Sequence, residues 1–193
     1  MSIIPQDFYF EDTTSVAKSL LGKTLHIKTT GKEQLARIVE VEAYLGIKDP
    51  ACHTFGGRQT PRVKSMYLSG GHSYVYLIYG MYNCLNIVTR TEEHPEAVLI
   101  RAVEPLPLSA TFNKSMLVSN GPGKLCRHYG ITKEHDGVAL WRKNSPLYLS
   151  EDGFNVPKSQ IVSKPRVGVD YAGEAAEWPL RFYIADNKFV SKK

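Results

Sequence analysis

From Arg37 to Gly46 the chain reads RIVEVEAYLG, in which apolar and polar positions alternate with a period of two. On an extended strand this places Val39, Val41, Ala43 and Leu45 on one side and Glu40, Glu42 and Tyr44 on the other. Upstream, Val16, Ala17, Leu20 and Leu21 recur at helical spacing behind Asp12 and Thr13, so a short helix is expected from Thr14 to Leu21, capped by one of those two and stopped at Gly22. Strands are expected at Thr24 to Lys28 and Leu35 to Tyr44, joined by a turn at Thr30-Gly31-Lys32. The segment DPACHTFGGRQTPR from Asp49 has no periodicity and reads as a polar, glycine-rich loop. SYVYLIYGMYNCLNIV from Ser73 gives two β-rich runs about Gly80, a hairpin, and AVLIRAVEPL from Ala97 a nearly continuous apolar strand. Beyond a short helix after Gly121, strands are expected near Leu140 to Trp141, Ile161 to Val162 and Leu180 to Ile184. There is no βαβ rhythm and no repeat, which predicts an α+β fold: one strand-dominated domain over residues 1–193 with short helices at its edges.

Four features carry candidate chemistry. Two acids followed by an aromatic are unusual for the wet face of a strand; they are either a solvated face paired with nearby bases or a site. Arg101 interrupts an apolar strand, and because it cannot be neutralised it needs an anionic partner, with Glu40, Glu42 and Glu104 available. The hairpin tip carries Tyr79 and Met81 where polar residues are usual, so it is either a wedge exposed to a partner or a tip buried under other elements. GPGKL at Gly121 suits close approach of a phosphate but lacks P-loop spacing, and helix punctuation explains it equally well.

Composition narrows the classes. With 193 residues, 42% of them hydrophobic and 22% charged, the chain fits one soluble globular domain, and no apolar run approaches a membrane span. The N-terminus lacks the basic start and apolar run of a signal peptide, and three cysteines leave one unpaired, which points to a reducing cytoplasm. Cys52, Cys84 and Cys126, like the six histidines, lack metal-ligand spacing, so neither metal nor cofactor is expected. The formal net charge of +5 favours a polyanionic partner such as nucleic acid.

Six blocks in order, RIVEVEAYLG, HTFGGRQTPR from His53, YVYLIYGMYNCLNI from Tyr74, LIRAVEP from Leu99, NGPGKL from Asn120 and RVGVDYAGE from Arg166, closely resemble the alkyladenine (3-methyladenine) DNA glycosylase family, of the type first named from mammals and found also in bacteria. The resemblance covers nearly the whole chain. It implies a curved antiparallel sheet with a protruding β-hairpin, and a monofunctional enzyme that flips damaged purines from duplex DNA and hydrolyses the N-glycosidic bond. Its implied roles are Glu42 as general base, with Arg101 and the carbonyl of Val167 positioning the water; Tyr44 and His53 facing Tyr76 across the flipped base; Asn86 excluding guanine; and Tyr79, with Met81 beside it, intercalating from the minor groove. Arg58, Arg62, Lys64 and Lys124 sit in or beside the matched loops as candidate phosphate contacts. The implied partner is double-stranded DNA carrying alkylated purines, with the protein acting as a monomer associated with a bacterial nucleoid. Val41 stands where threonine is common in the family and Asn83 where a bulkier residue is expected, so the range of lesions is left open.

Two rivals use the same features differently. A non-catalytic module that senses distorted DNA would need the hairpin and the basic loops but neither Glu42 nor Arg101. A hydrolase of free nucleosides or alkylated RNA would keep the acid and dispense with the intercalating tip.

Overall fold

The computed structural model describes residues 1–29, 31–107 and 118–193. Its elements are β1 (Ser2–Ile3), α1 (Thr13–Leu20), β2 (Thr24–Thr29), β3 (Lys32–Tyr44), β4 (Ser73–Ile78), β5 (Tyr82–Thr89), β6 (Glu96–Leu106), α2 (Pro122–Tyr129), β7 (Leu147–Glu151), β8 (Ile161–Lys164) and β9 (Arg181–Ile184). The strands form one nine-stranded, wholly antiparallel sheet that curls into a half-barrel, in the order β1-β7-β2-β3-β6-β5-β4. The fold is α+β.

β3 organises the sheet because it is long enough to take three neighbours. β6 lies along one edge; β2 pairs with its first half and β9 with Glu40 to Glu42 on the same edge, and β8 extends β9. Where these neighbours change, the β3–β6 ladder is irregular. Ile38 pairs with Val103 and Glu40 with Ala102, leaving Val39 extra on β3; Val41 pairs with Ile100, leaving Arg101 extra on β6. Such bulges re-aim side chains. Here Ile38 and Val39 both enter the core, while Arg101 turns to the acidic face.

The core lies between the apolar face of the sheet and α1, and includes Val16, Leu20, Ile38, Val41, Val98, Ile100 and Phe182. The period of two in β3 is therefore expressed as a buried apolar side and a chemically distinct opposite side. α1 is capped by Asp12, whose carboxylate accepts from Ser15 N at 3.0 Å, and the chain leaves it through Gly22 at φ 86°. Gly121 caps α2, and Gly123 lies so close to Tyr82 that a Cβ would meet its side chain at 3.0 Å. The GPG run thus punctuates and packs a helix against β5.

Two expectations change. Leu140 and Trp141 do not form a strand: Leu140 is a core residue in a turn, its carbonyl taking Leu149 N at 3.0 Å, and the strand is instead Leu147–Glu151, paired with both β1 and β2. Glu104 is not the partner of Arg101; it accepts from Asn187 at 2.8 Å. In the expected Thr30-Gly31-Lys32 turn, Thr30 lies outside the described residues. No helix among the described residues is long and apolar enough to cross a membrane.

Candidate active site

The site follows from sheet register. Arg181, Glu42, Leu99, Asn86 and Tyr74 pair in succession across β9, β3, β6, β5 and β4, so their side chains form one row on the face opposite the core. The neighbouring row holds Tyr44 and Ala97, and Tyr76 is paired with Cys84. Over this face lies a cavity of about 240 Å³ lined by Tyr44, His53, Tyr76, Asn86, Arg101 and Val167 among others. An apolar cavity of roughly 150 Å³ accommodates benzene, so this one suits a ring system the size of a purine.

Glu42 lies directly behind the wall and is fully buried. Its Oε1 accepts from Val167 N at 2.7 Å and from Arg101 Nη1 at 3.1 Å; its Oε2 accepts from the Tyr44 hydroxyl at 2.9 Å. A carboxylate has about four acceptor positions, and among the described residues the open one is on Oε2. Burial drives the Tyr44 phenol pKa well above its ordinary value, with the Glu42 charge adding to it, so Tyr44 stays a donor to the carboxylate.

Glu40 is buried as deeply but differently committed. Its Oε1 meets Arg101 Nε at 3.2 Å and Arg181 Nη1 at 2.9 Å, and its Oε2 takes Ser191 N at 2.7 Å. Arg101 bridges both acids and orients Glu42, and together with Arg181 on Glu40 it balances the two negative charges. Glu40 is therefore a structural counter-ion, and Glu42 is the acid beside the cavity.

Sequence reasoning missed the clamp that holds Val167. Asp49 and Arg166 are both inaccessible to solvent and pair through two hydrogen bonds, one of 2.9 Å. Asp49 also accepts from Leu45 N and Ala51 N, and Arg166 donates to the carbonyls of Ala43 and Ala175. One ion pair thereby ties the end of β3 to the segment carrying Val167. Removing one partner of a buried pair strands the other charge, so Asp49→Asn is expected to lower folding stability by about 3–5 kcal/mol, measured by urea unfolding. Tyr171, on the same segment, also lines the cavity and is exposed, with its hydroxyl donating to Ala51 O at 3.2 Å. Both residues stand in RVGVDYAGE, but nothing local to that block marks an aspartate more than a hundred positions away as a partner.

His53 and Tyr76 meet edge-on, with centroids 4.6 Å apart at 78°, so they form a corner of the cavity and not two parallel walls. Asn86 is buried, and its Nδ2 donates to Tyr74 O at 3.0 Å and Cys84 O at 3.4 Å. The two carbonyls fix which end of the amide is which. The Cys84 thiol is pushed up to about 11 by burial and is uncharged at neutral pH. All three cysteines are free and buried. Among the described residues no cluster of three or more His, Cys, Asp or Glu is arranged to hold a metal ion.

The hairpin tip stands in solvent. Tyr79 is 83% exposed and Met81 68%. Tyr79 and Gly80 have φ of 52° and 67°, and Met81 N closes the turn on Ile78 O at 3.1 Å. Two successive positive φ values match the twist of a tight hairpin, and they hold a tyrosine in a conformation that non-glycine residues rarely adopt. Arg58, Lys64 and Lys124 are exposed. Arg62 is exposed too; Lys124 reaches Asn120 at 3.1 Å, and Arg62 donates to Leu77 O at 3.1 Å.

The family model described as Methylpurine-DNA glycosylase (MPG) matches residues 7–188. A Bdellovibrio bacteriovorus protein named "Putative 3-methyladenine DNA glycosylase" is 68% identical over 191 residues, covering 99% of this chain and 100% of the relative. Proteins of the same name from Clostridium novyi and Desulfitobacterium hafniense are 46% and 45% identical over 207 residues, with full coverage of both chains in each case. The chain belongs to the methylpurine-DNA glycosylase family, a class of DNA repair enzymes.

Proposed function

We propose that this protein extrudes alkylated purines from duplex DNA into the sheet-face cavity and hydrolyses their N-glycosidic bond with a water activated by Glu42, leaving an abasic site in an unbroken strand. The observation that carries this reading is the placement of Glu42: a buried carboxylate with one open acceptor position, next to a purine-sized aromatic cavity and a hairpin with a solvent-exposed tyrosine at its tip.

As the C1′–N bond breaks, its electron pair leaves with the base and positive charge builds on the sugar. A cationic alkylated base departs neutral, which is why alkylation makes the purine a good leaving group. Water adds to C1′ and its proton passes to Oε2 of Glu42, whose charge also stabilises the transition state. Arg101 and Val167 N–H hold the carboxylate rigidly, and the Val167 carbonyl is placed on the same segment to steer the water. Tyr44, Tyr76 and His53 enclose the base, favouring electron-poor rings. Asn86 crowds the amino group of guanine and so excludes it. Tyr79, with Met81, fills the gap left in the stack. Exposed Arg58, Arg62, Lys64 and Lys124 supply phosphate contacts for the duplex, bound by a monomer.

A module that only senses distortion has no use for a buried acid oriented by three donors, and a hydrolase of free nucleosides has no use for an exposed apolar tip. The test is incubation with a duplex carrying one alkylated or ethenoadenine base, followed by hot alkali to cleave abasic sites. Strand scission is expected only after alkali, undiminished by EDTA, and borohydride is expected to trap no enzyme–DNA adduct. A trapped adduct would establish amine nucleophilic chemistry and overturn direct hydrolysis.

A further inference from the structure

The last residues of the chain reach the charged groups behind the cavity. Asn187 Nδ2 donates to Glu104 Oε2 at 2.8 Å while its Oδ1 accepts from Phe189 N at 2.8 Å, and Phe189 and Val190 are buried, Phe189 within the main core. Just beyond these anchors, Ser191 N donates to Glu40 Oε2 at 2.7 Å, Ser191 Oγ accepts from Arg101 Nη2 at 3.4 Å, and Lys192 O accepts from Arg181 Nη1 at 2.7 Å. We propose that residues 190–192 form a strap that belongs to the catalytic apparatus. Within it Ser191 is a positioning residue: it holds the Arg101 guanidinium against rotation and so keeps Glu42 aimed at the cavity.

Two buried acids share one guanidinium. Arg101 Nε meets Glu40 Oε1 at 3.2 Å, Nη1 meets Glu42 Oε1 at 3.1 Å, and Nη2 meets Ser191. A guanidinium is a planar fork, so contacts on all three nitrogens fix both its plane and its rotation about the Nε–Cζ bond. Glu40 competes with Glu42 for this fork, and the strap limits the competition by supplying Glu40 with other donors. Its Oε2 is taken by Ser191 N–H, and its Oε1 also receives Arg181 Nη1, whose second proton is directed to Lys192 O. Nη1 of Arg101 is thereby left to Glu42. Ser191 is half-buried and Lys192 exposed, so what they contribute is direction more than apolar burial. The strap also lies past residue 188, where the family match ends.

What the strap serves rests on the base-excision reading; its hold on Arg101 does not. The test uses the full-length protein with Ser191→Thr, Ser191→Ala and Ser191→Pro, each alone and combined with Glu42→Gln. Threonine keeps the N–H and the hydroxyl, alanine only the N–H, and proline neither. Nitrogen-15 spectra of the Arg101 side chain are expected to show separate Nη1 and Nη2 signals in native protein and Ser191→Thr, and averaging of the two in Ser191→Ala and Ser191→Pro. Single-turnover base release at saturating enzyme is expected to be native in Ser191→Thr, roughly threefold slower in Ser191→Ala and about tenfold or more slower in Ser191→Pro, as misplacement of a catalytic group implies. Affinity for undamaged duplex is expected to be unchanged in all three. In the Glu42→Gln background the same substitutions are expected to cost nothing further, because they act through that carboxylate. Damage to the fold would instead slow both backgrounds alike, and equal fold-losses in the two would overturn the proposal. So would native release with separate Nη signals in Ser191→Ala and Ser191→Pro, or Ser191→Thr as slow as Ser191→Pro. Should Ser191→Pro fail to fold, Ser191→Ala against Ser191→Thr decides on the same terms. If native protein released no base, the excision reading would fail, and the Arg101 spectra would still decide whether the strap holds the guanidinium.

Discussion

Replacing Glu42 by glutamine is expected to slow single-turnover base release by ~10²–10⁴-fold while leaving affinity for lesion-containing duplex within a few fold of native. The amide keeps the volume of the carboxylate and can still accept from Val167 N through its oxygen, but it cannot take a proton and carries no charge to oppose that on the sugar. Glu40→Gln is the informative control. Glu40 makes no hydrogen bond to Tyr44 or Val167 among the described residues; it pairs with Arg101 and Arg181 and accepts from Ser191 N. Its loss is expected to appear chiefly as reduced folding stability, since it leaves buried guanidinium charge poorly balanced. A folded Glu40→Gln enzyme slower than Glu42→Gln would transfer the role of base to the wrong-seeming acid and undo the assignment.

Tyr79→Ala is expected to impair excision from paired duplex by lowering the flipped fraction, and to impair it less when the lesion sits in a mismatch or bulge. Extruding a base costs a few kcal/mol, least where the base is already unpaired, so the plug matters most in the intact stack. The fold should tolerate the change. Tyr79 is almost free of protein contact and holds a positive φ that alanine bears no worse, so the hairpin loses no packing and gains no new strain. Comparison of single-turnover rates in paired and mispaired contexts checks this. Equal losses in both would make Tyr79 a support of the cavity, and the wedge would have to be Met81.

The parity of β3 was legible because one face is buried: a register fixed by Val41 and Ala43 also fixes the direction of Glu42 and Tyr44. The hairpin was legible for a similar reason, since only Gly80 could serve its turn. What separates Glu40 from Glu42 was not. The two acids are equivalent by alternation, and their difference arises from Arg181 and Ser191, about 140 to 150 residues further along the chain, together with bulges at Val39 and Arg101 that no period records. The Asp49–Arg166 clamp is long-range in the same way. The strand at Leu147–Glu151 was passed over because its apolar run is short and its pairing with β1 and β2 supplies what local propensity lacks. The basic loop was read as a set of equivalent phosphate contacts, and only the folded hairpin shows that Arg62 among them also reaches Leu77 O and the Tyr76 ring.

The most direct measurement is chromatographic identification of what the native protein and Glu42→Gln release from methylated duplex DNA under single-turnover conditions. The account predicts free methylated purine from native protein, in amounts matching alkali-labile sites in otherwise intact strands, and ~10²-fold or slower release from Glu42→Gln despite retained binding. Tight binding of the methylated duplex by native protein with no free base in solution would contradict it and leave a damage-sensing module in its place.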